Sequence, residues 1–145
     1  SFNFDKEFFL IGNLSQLRTH STAVAYLQIK GAGTHGDIAT KGFGVKISNA
    51  AMYGESYGIA RGTVDLSKTL DIANRECIQL IIHHIPGTSI TWYIYGSQAG
   101  QITNTDHIPS GVQFATRLVL SIEDGVGSTE NIMLVLMQSK IWQEL

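Results

Sequence analysis

Between Cys77 and Gly96 the chain reads CIQLIIHHIPGTSITWYIYG, two apolar runs around a Pro86-Gly87 pair. Proline presets φ and glycine accepts φ > 0, so the pair marks a turn and the stretch reads as a hairpin. Leu66, Leu70, Ala73, Cys77, Leu80 and His84 follow a 4,3,4,3,4 spacing that also suits one face of a helix. Composition decides for strand from Cys77 onward. Ile78, Ile81, Ile82 and Ile85 are β-branched, and Thr88, Ile90, Thr91, Trp92, Tyr93, Ile94 and Tyr95 are nearly all strand formers. At most a short helical turn is expected between Asp65 and Ala73.

Apolar segments of strand length recur elsewhere. Glu7 to Leu14 is followed by Thr22 to Lys30, in which Ala23, Ala25, Leu27 and Ile29 share a face, and then by a glycine loop from Gly31 to Gly36. Lys41 to Ser48 points Phe43, Val45 and Ile47 inward, and Tyr53 to Val64 continues the pattern as one strand through Tyr57, Ile59 and Arg61. Gln98 to Gly111 is polar and reads as an exposed loop. Phe114 to Ile122 alternates, with Phe114, Thr116, Leu118, Leu120 and Ile122 on one face.

The last strand, Asn131 to Ser139, is apolar on both faces: Ile132, Leu134 and Leu136 oppose Met133, Val135 and Met137. Such a strand needs cover on both sides, from a second sheet on one and another subunit on the other. Met133, Val135, Met137 and Trp142 are therefore the expected subunit interface. About eight short strands with no long helix predict a single all-β domain over residues 1–145, an antiparallel jelly-roll sandwich.

Charge narrows the partners. Twelve acidic and ten basic residues leave a formal charge of -2, with Lys and Arg scattered singly, so there is no electrostatic footprint for nucleic acid or an anionic membrane. The run from Ile132 to Met137 is far short of the ~18 residues that span a bilayer. Charged residues make up only 15% and glycine is abundant, which suits a β-protein that buries extra surface in an oligomer. The chain starts at Ser1 without methionine, and the C-terminal part of a longer polypeptide is expected.

Candidate chemistry mostly falls away. Gly31-Ala-Gly33-Thr-His-Gly36 matches G-x-G-x-x-G, but a dinucleotide site needs a helix opening at the last glycine, and DIATKGFGVKIS alternates like a strand. No cofactor is expected. His83 and His84 point to opposite faces and cannot share a metal; His20, His35 and His107 lie in predicted loops without ligand spacing, so no metal is expected either. The lone Cys77 reads as a buried small hydrophobe, about 20 Å along the strand from His83. Ser97 has no identifiable base, and no catalytic residues are expected.

What remains is surface. Tyr53, Tyr57, Gln98, Gln101, Asn104 and Asp106 sit in or beside glycine-rich loops, where aromatic and amide side chains suit saccharide or protein recognition. Arg61, Arg75 and Arg117 are cations in or next to apolar strands. They suit a carboxylate clamp or ion pairs with Glu76 and Asp65 across a subunit boundary, and the ion pairs are the preferred reading.

The opening strand FFLIGNL, the strand AVAYLQIKGAG with its glycine loop, the strand GFGVKISN and the hairpin IQLIIHHIPGTSITWYIYG together span nearly the whole chain. In layout this resembles the jelly-roll knobs of bacteriophage tail fibres and tail needles, trimeric TNF-like domains, and most of all the needle knobs of short-tailed, P22-like phages. The resemblance implies a homotrimer in the virion, outside the cell, with a coiled-coil shaft before Ser1, and makes Met133, Val135, Met137 and Trp142 its trimer interface. It also implies a role in host attachment or envelope penetration, with a bacterial surface saccharide or protein as partner, and it supplies no catalytic residues. Two other classes stay open. One is a bacterial surface adhesin or minor pilin tip domain, which a helix at Leu66 to Ile82 would favour. The other is a carbohydrate-active enzyme, which needs two carboxylates within roughly 5 to 10 Å.

Overall fold

The alternation of apolar positions becomes ten strands of six or more residues and two short pieces. In order they are β1 (Phe2–Asn3), β2 (Phe8–Arg18), β3 (Val24–Lys30), β4 (Gly42–Ser48), β5 (Ala51–Tyr57), β6 (Arg61–Thr69), β7 (Cys77–Ile85), β8 (Ser89–Ile94), β9 (Ser97–Ile102), β10 (Val112–Gln113), β11 (Arg117–Glu123) and β12 (Met133–Gln143). The computed structural model describes residues 2–18, 24–31, 36–123 and 133–144, without the side chains of residues 17, 18, 133–135, 137 and 138. The expected Gly31 to Gly36 loop falls largely on residues outside this description.

Two five-stranded antiparallel sheets, β11-β3-β4-β5-β6 and β12-β2-β7-β8-β9, face each other as a sandwich. Residues β3 to β6 and β7 to β9 run as two meanders, while β2 pairs with β12 and β3 with β11, so the first and last long strands wrap the sandwich as in a jelly roll. Register sets the core. Ala25, Leu27 and Ile29 lie opposite Ile47, Val45 and Phe43, and Phe8, Leu10 and Leu14 lie opposite His84, Ile82 and Ile78, all buried. The Pro86-Gly87 turn closes β7 onto β8 as expected: Gly87 has φ +59° and the Thr88 N–H donates to the Ile85 carbonyl.

Trp92 is the largest fully buried side chain and ties the two sheets together. Its indole Nε1 donates to the Gly44 carbonyl at 3.0 Å, and Gly54 makes room for the ring, since a Cβ there would sit 2.6 Å from the indole. At one end Phe4, Phe8 and Phe43 pack around the buried His84, which stacks on Phe43 at 5.6 Å.

Four expectations need correction. The single strand from Tyr53 to Val64 is two, because residues 58–60 turn: the N–H groups of Ile59 and Ala60 both donate to the Asp106 carbonyl, and Ile59 is 76% exposed rather than inward. The helical turn expected between Asp65 and Ala73 is mostly strand, since β6 runs to Thr69 and only residues 72–75 turn, with Leu66 and Leu70 buried. The expected loop from Gln98 to Gly111 opens with β9, and Ile102 and Ile108 anchor it to the core. Cys77 is exposed, because register puts it on the outer face opposite Ser15. Among the described residues there is no α-helix, only a 3₁₀ turn at Thr105–His107.

Candidate functional site on an outer sheet face

Strand parity sends Tyr26, Gln28 and Lys30 of β3 away from the core, and register sets beside them Lys46 of β4, Tyr53, Glu55 and Tyr57 of β5, and Arg61 and Thr63 of β6. An outer face is ordinarily solvated. Here Tyr26, Gln28, Lys30 and Glu55 are buried, because the segment from Gly36 to Lys41 lies across them. Gln28 Nε2 donates to the Gly36 carbonyl at 2.9 Å and also to Glu55 Oε1, and Ile38 above is fully buried.

Asp37 pins this segment. Its carboxylate accepts from Lys46 Nζ at 2.7 Å and from Arg61 Nη1, while the Tyr26 hydroxyl lies 3.4 Å from Asp37 and donates to Glu123 Oε2 at 3.1 Å. Partial burial works against the Asp37 charge, but the hydrogen bonds from Lys46 and Arg61 outweigh it and hold the carboxyl below the usual range. Burial pushes the Tyr26 phenol upward, and Asp37 and Glu123 add to the shift. Burial likewise lowers Lys30, opposed by Glu55 and Glu123.

Glu55 is the buried carboxyl on this face. Desolvation raises its pKa and Asp37 adds to that, against hydrogen bonds from Gln28 and the Ile38 backbone. A carboxyl with a raised folded pKa favours the fold fully below its unfolded pKa and loses that contribution as pH rises through the folded value. Glu55→Gln is therefore expected to raise the melting temperature at pH 7 by a few degrees, with the gain vanishing near pH 4. A thermal melt of both proteins at the two pH values checks this, and a variant less stable at both would refute it.

Beside this buried network lies an open groove of about 330 Å³, lined by Lys46, Ser48, Tyr53, Arg61 and Thr63. Both cations in its wall pair with the one Asp37 carboxylate, leaving a phenol, hydroxyls and ammonium and guanidinium donors on a rigid sheet. Among the described residues no group of three His, Cys, Asp or Glu side chains is placed to hold a metal ion.

Of the residues singled out from sequence, Tyr53, Tyr57 and Arg61 come together here, with Arg117 on the same face opposite Lys30. Arg61 pairs with Asp37 of its own chain, not with Asp65 or Glu76. Glu76 instead accepts from Lys68 at 2.5 Å and from the Tyr95 hydroxyl. Arg75 stands apart on the exposed 71–76 turn. Gln98 and Gln101 lie on β9 of the other sheet, where Gln101 donates to Thr91, and Asn104 caps the 3₁₀ turn that contains Asp106. Trp142 is 51% exposed on β12; the side chains of Met133, Val135 and Met137, like His20 and His35, lie outside the described residues. Sequence reasoning missed Tyr26, Gln28, Asp37, Lys46 and Glu55. The polar residues alternating with Leu27 and Ile29, and a glutamate between Tyr53 and Tyr57 at the same parity, were the available signal.

No protein-family model matches the chain, and no curated protein matches it in sequence. Solved structures match by fold. A botulinum neurotoxin type C structure, described as needing two ganglioside molecules to enter cells, superposes with TM-score 0.58 at 11% identity, over 94% of this chain and 32% of the toxin chain. The binding domain of Paraclostridial Mosquitocidal Protein 1 gives 0.64 at 11% identity, over 98% and 35%. The β-glucanase of Bacillus licheniformis gives 0.61 at 14% identity, over 93% and 64%. The chain spans about a third of the toxin chains. At these identities the matches establish the fold alone, a jelly-roll β-sandwich.

Proposed function

We infer that this chain is a non-enzymatic attachment domain, the trimeric knob at the tip of a phage tail needle or fibre, whose outer sheet face meets a saccharide or protein of the bacterial surface. The observation that carries the reading is the groove between Tyr53, Lys46 and Arg61: a phenol flanked by donors that Asp37 holds in place, set on a rigid sheet. Such a surface suits hydroxyl-rich ligands, which need many hydrogen bonds and one apolar contact. The receptor-binding toxin chains that share the fold, one of them described with gangliosides, support the same class of role.

Support for assembly comes from one margin of the sandwich. At the β6/β9 margin the sheets close over Leu66, Ile94 and Ile102. At the other margin Leu120, Ile122 and Ile141 lie opposite Leu27, Ala25 and Leu10, facing the interior, yet remain part-exposed beside the edges of β11 and β12 that no strand among the described residues pairs. Edges this long and apolar call for cover, and copies around a threefold axis would supply it.

Sedimentation of the chain is expected to give three times the monomer mass, and a panel of purified bacterial lipopolysaccharides and capsular polysaccharides is expected to include one whose binding drops at least tenfold in Tyr53→Ala and Arg61→Ala. A monomer would remove the knob reading; unchanged binding by both variants would remove the groove. A glycan-hydrolysing alternative draws on Glu55 and the fold shared with a β-glucanase. Its carboxyl has no exposed surface with which to reach a glycosidic bond, which favours binding over turnover. Release of reducing sugar from any polysaccharide in the panel would reverse that choice.

A further inference from the structure

On the opposite surface, the outward residues of β12, β2 and β7 form rows set by register: Trp142, Phe9 and His83, then Lys140, Ile11 and Ile81, then Asn13 and Gln79. The first row is a continuous aromatic platform. Phe9 and His83 stack at 4.0 Å with an interplanar angle of 12°, Trp142 leans on Phe9 at 5.6 Å, and Glu7 Oε1 lies 2.5 Å from His83 Nε2 and fixes the imidazole. Trp142 nevertheless leaves half its surface to solvent. Beside the platform, where β12 shifts register against β2 between Met137 and Lys140, a groove of about 660 Å³ opens, lined by Ile11, Gly12, Asn13, Gln79, Ser139 and Lys140. That lies within the roughly 300–1,000 Å³ of small-molecule sites.

The lining has an apolar floor in Ile11, amides in Asn13 and Gln79, a hydroxyl in Ser139 and one ammonium. Among the described residues no carboxylate pairs with Lys140; the four ion pairs are all made elsewhere. Lys140 and Trp142, two apart on one strand, project to the same side about 7 Å apart. We propose that this groove binds an acidic glycan, a short chain of pyranoses bearing a carboxylate. One sugar ring packs its C–H face on Trp142, the carboxylate meets the Lys140 ammonium, and ring hydroxyls bond the Gln79 amide and the Ser139 hydroxyl. An aromatic face answers the apolar side of a sugar, amides answer its hydroxyls, and an unbalanced cation selects the acid. The Tyr53 groove differs in that both its cations are already held by a carboxylate, Asp37, whereas Lys140 has no carboxylate partner among the described residues.

The test uses the whole 145-residue chain and ligand-observed NMR with two probes, tri-galacturonic acid and 3′-sialyllactose, each beside its methyl ester. At least one acid is expected to bind, with its ester at least tenfold weaker. Lys140→Gln is expected to reduce the acid to the level of its ester, Trp142→Ala to weaken acid and ester alike, and Arg61→Ala, on the other sheet, to leave the titration unchanged. Binding of neither acid, or equal binding of acid and ester, would overturn the proposal. So would a change in sedimentation on Trp142→Ala, which would make this face a contact between copies of the chain. Because Arg61→Ala tests the other groove separately, failure here leaves the attachment reading to its own experiment.

Discussion

Trp92→Ala is expected to lower the unfolding free energy by about 3–5 kcal/mol, a large share of the roughly 5–15 kcal/mol of a domain this size. The indole is fully buried between the two sheets, so truncation opens a cavity that neither sheet can fill. It also leaves the Gly44 carbonyl without its donor. The urea midpoint read by far-UV dichroism checks the loss, and a change below about 1 kcal/mol would mean that Trp92 is not the link between the sheets. Gly54→Ala supplies a second arm. Its new Cβ would meet the indole at 2.6 Å, closer than packed atoms allow, so this substitution also destabilises. In the double variant Gly54→Ala/Trp92→Phe the smaller ring relieves that contact, and the combined loss is expected to be less than the sum of the separate losses.

Stability is expected to fall steeply between pH 6.5 and pH 4 because of His84. Burial lowers its pKa from 6.5 to about 4, only partly offset by the nearby backbone of Pro109 and Lys6. The sign follows from proton counts: between these values the unfolded chain takes up a proton on this imidazole and the folded chain does not, so acid favours unfolding. The contribution is complete above pH 6.5, is lost progressively as pH falls, and amounts to about 3 kcal/mol in all. His84→Phe keeps a flat ring stacked on Phe43 and removes the titration. Its urea midpoint is expected to change much less over this range than that of the parent chain. Parallel pH profiles would exclude His84 as the cause. Glu55 titrates with the opposite sign, so the two single variants separate the contributions.

Much of the architecture was legible because alternation and turn chemistry are local. Phe43, Val45 and Ile47 point inward as their spacing demands, and Pro86-Gly87 closes the hairpin by its own geometry. The turn at residues 58–60 escaped because its hydrogen bonds come from Asp106, far along the chain, and nothing local marks Ile59 as exposed. The helical spacing from Leu66 to His84 is a coincidence, as the β-branched composition from Cys77 onward indicated: one apolar set, interrupted by the 71–76 turn, falls on two separate strands.

The candidate site was less legible than the scaffold. Tyr53, Tyr57 and Arg61 drew attention as aromatic and cationic residues among glycines, but what organises them is Asp37, which reads in isolation as an ordinary loop aspartate. Its role depends on the covering segment, whose path no periodicity encodes. Trp142 was expected at a subunit contact because a C-terminal tryptophan wants burial. Only the pairing of β12 with β2 sets it beside Phe9 and next to Lys140.

The strand pairings also fix an order of construction. Apart from the longer 31–41 connection between β3 and β4, each partner in the two meanders follows its neighbour within a few residues, so those hairpins can close while the chain is still lengthening. The pairs β2–β12 and β3–β11 join the chain's beginning to its end. Until β11 and β12 emerge, both sheets keep an open apolar flank, and the nascent domain is most prone to misassociate at that margin.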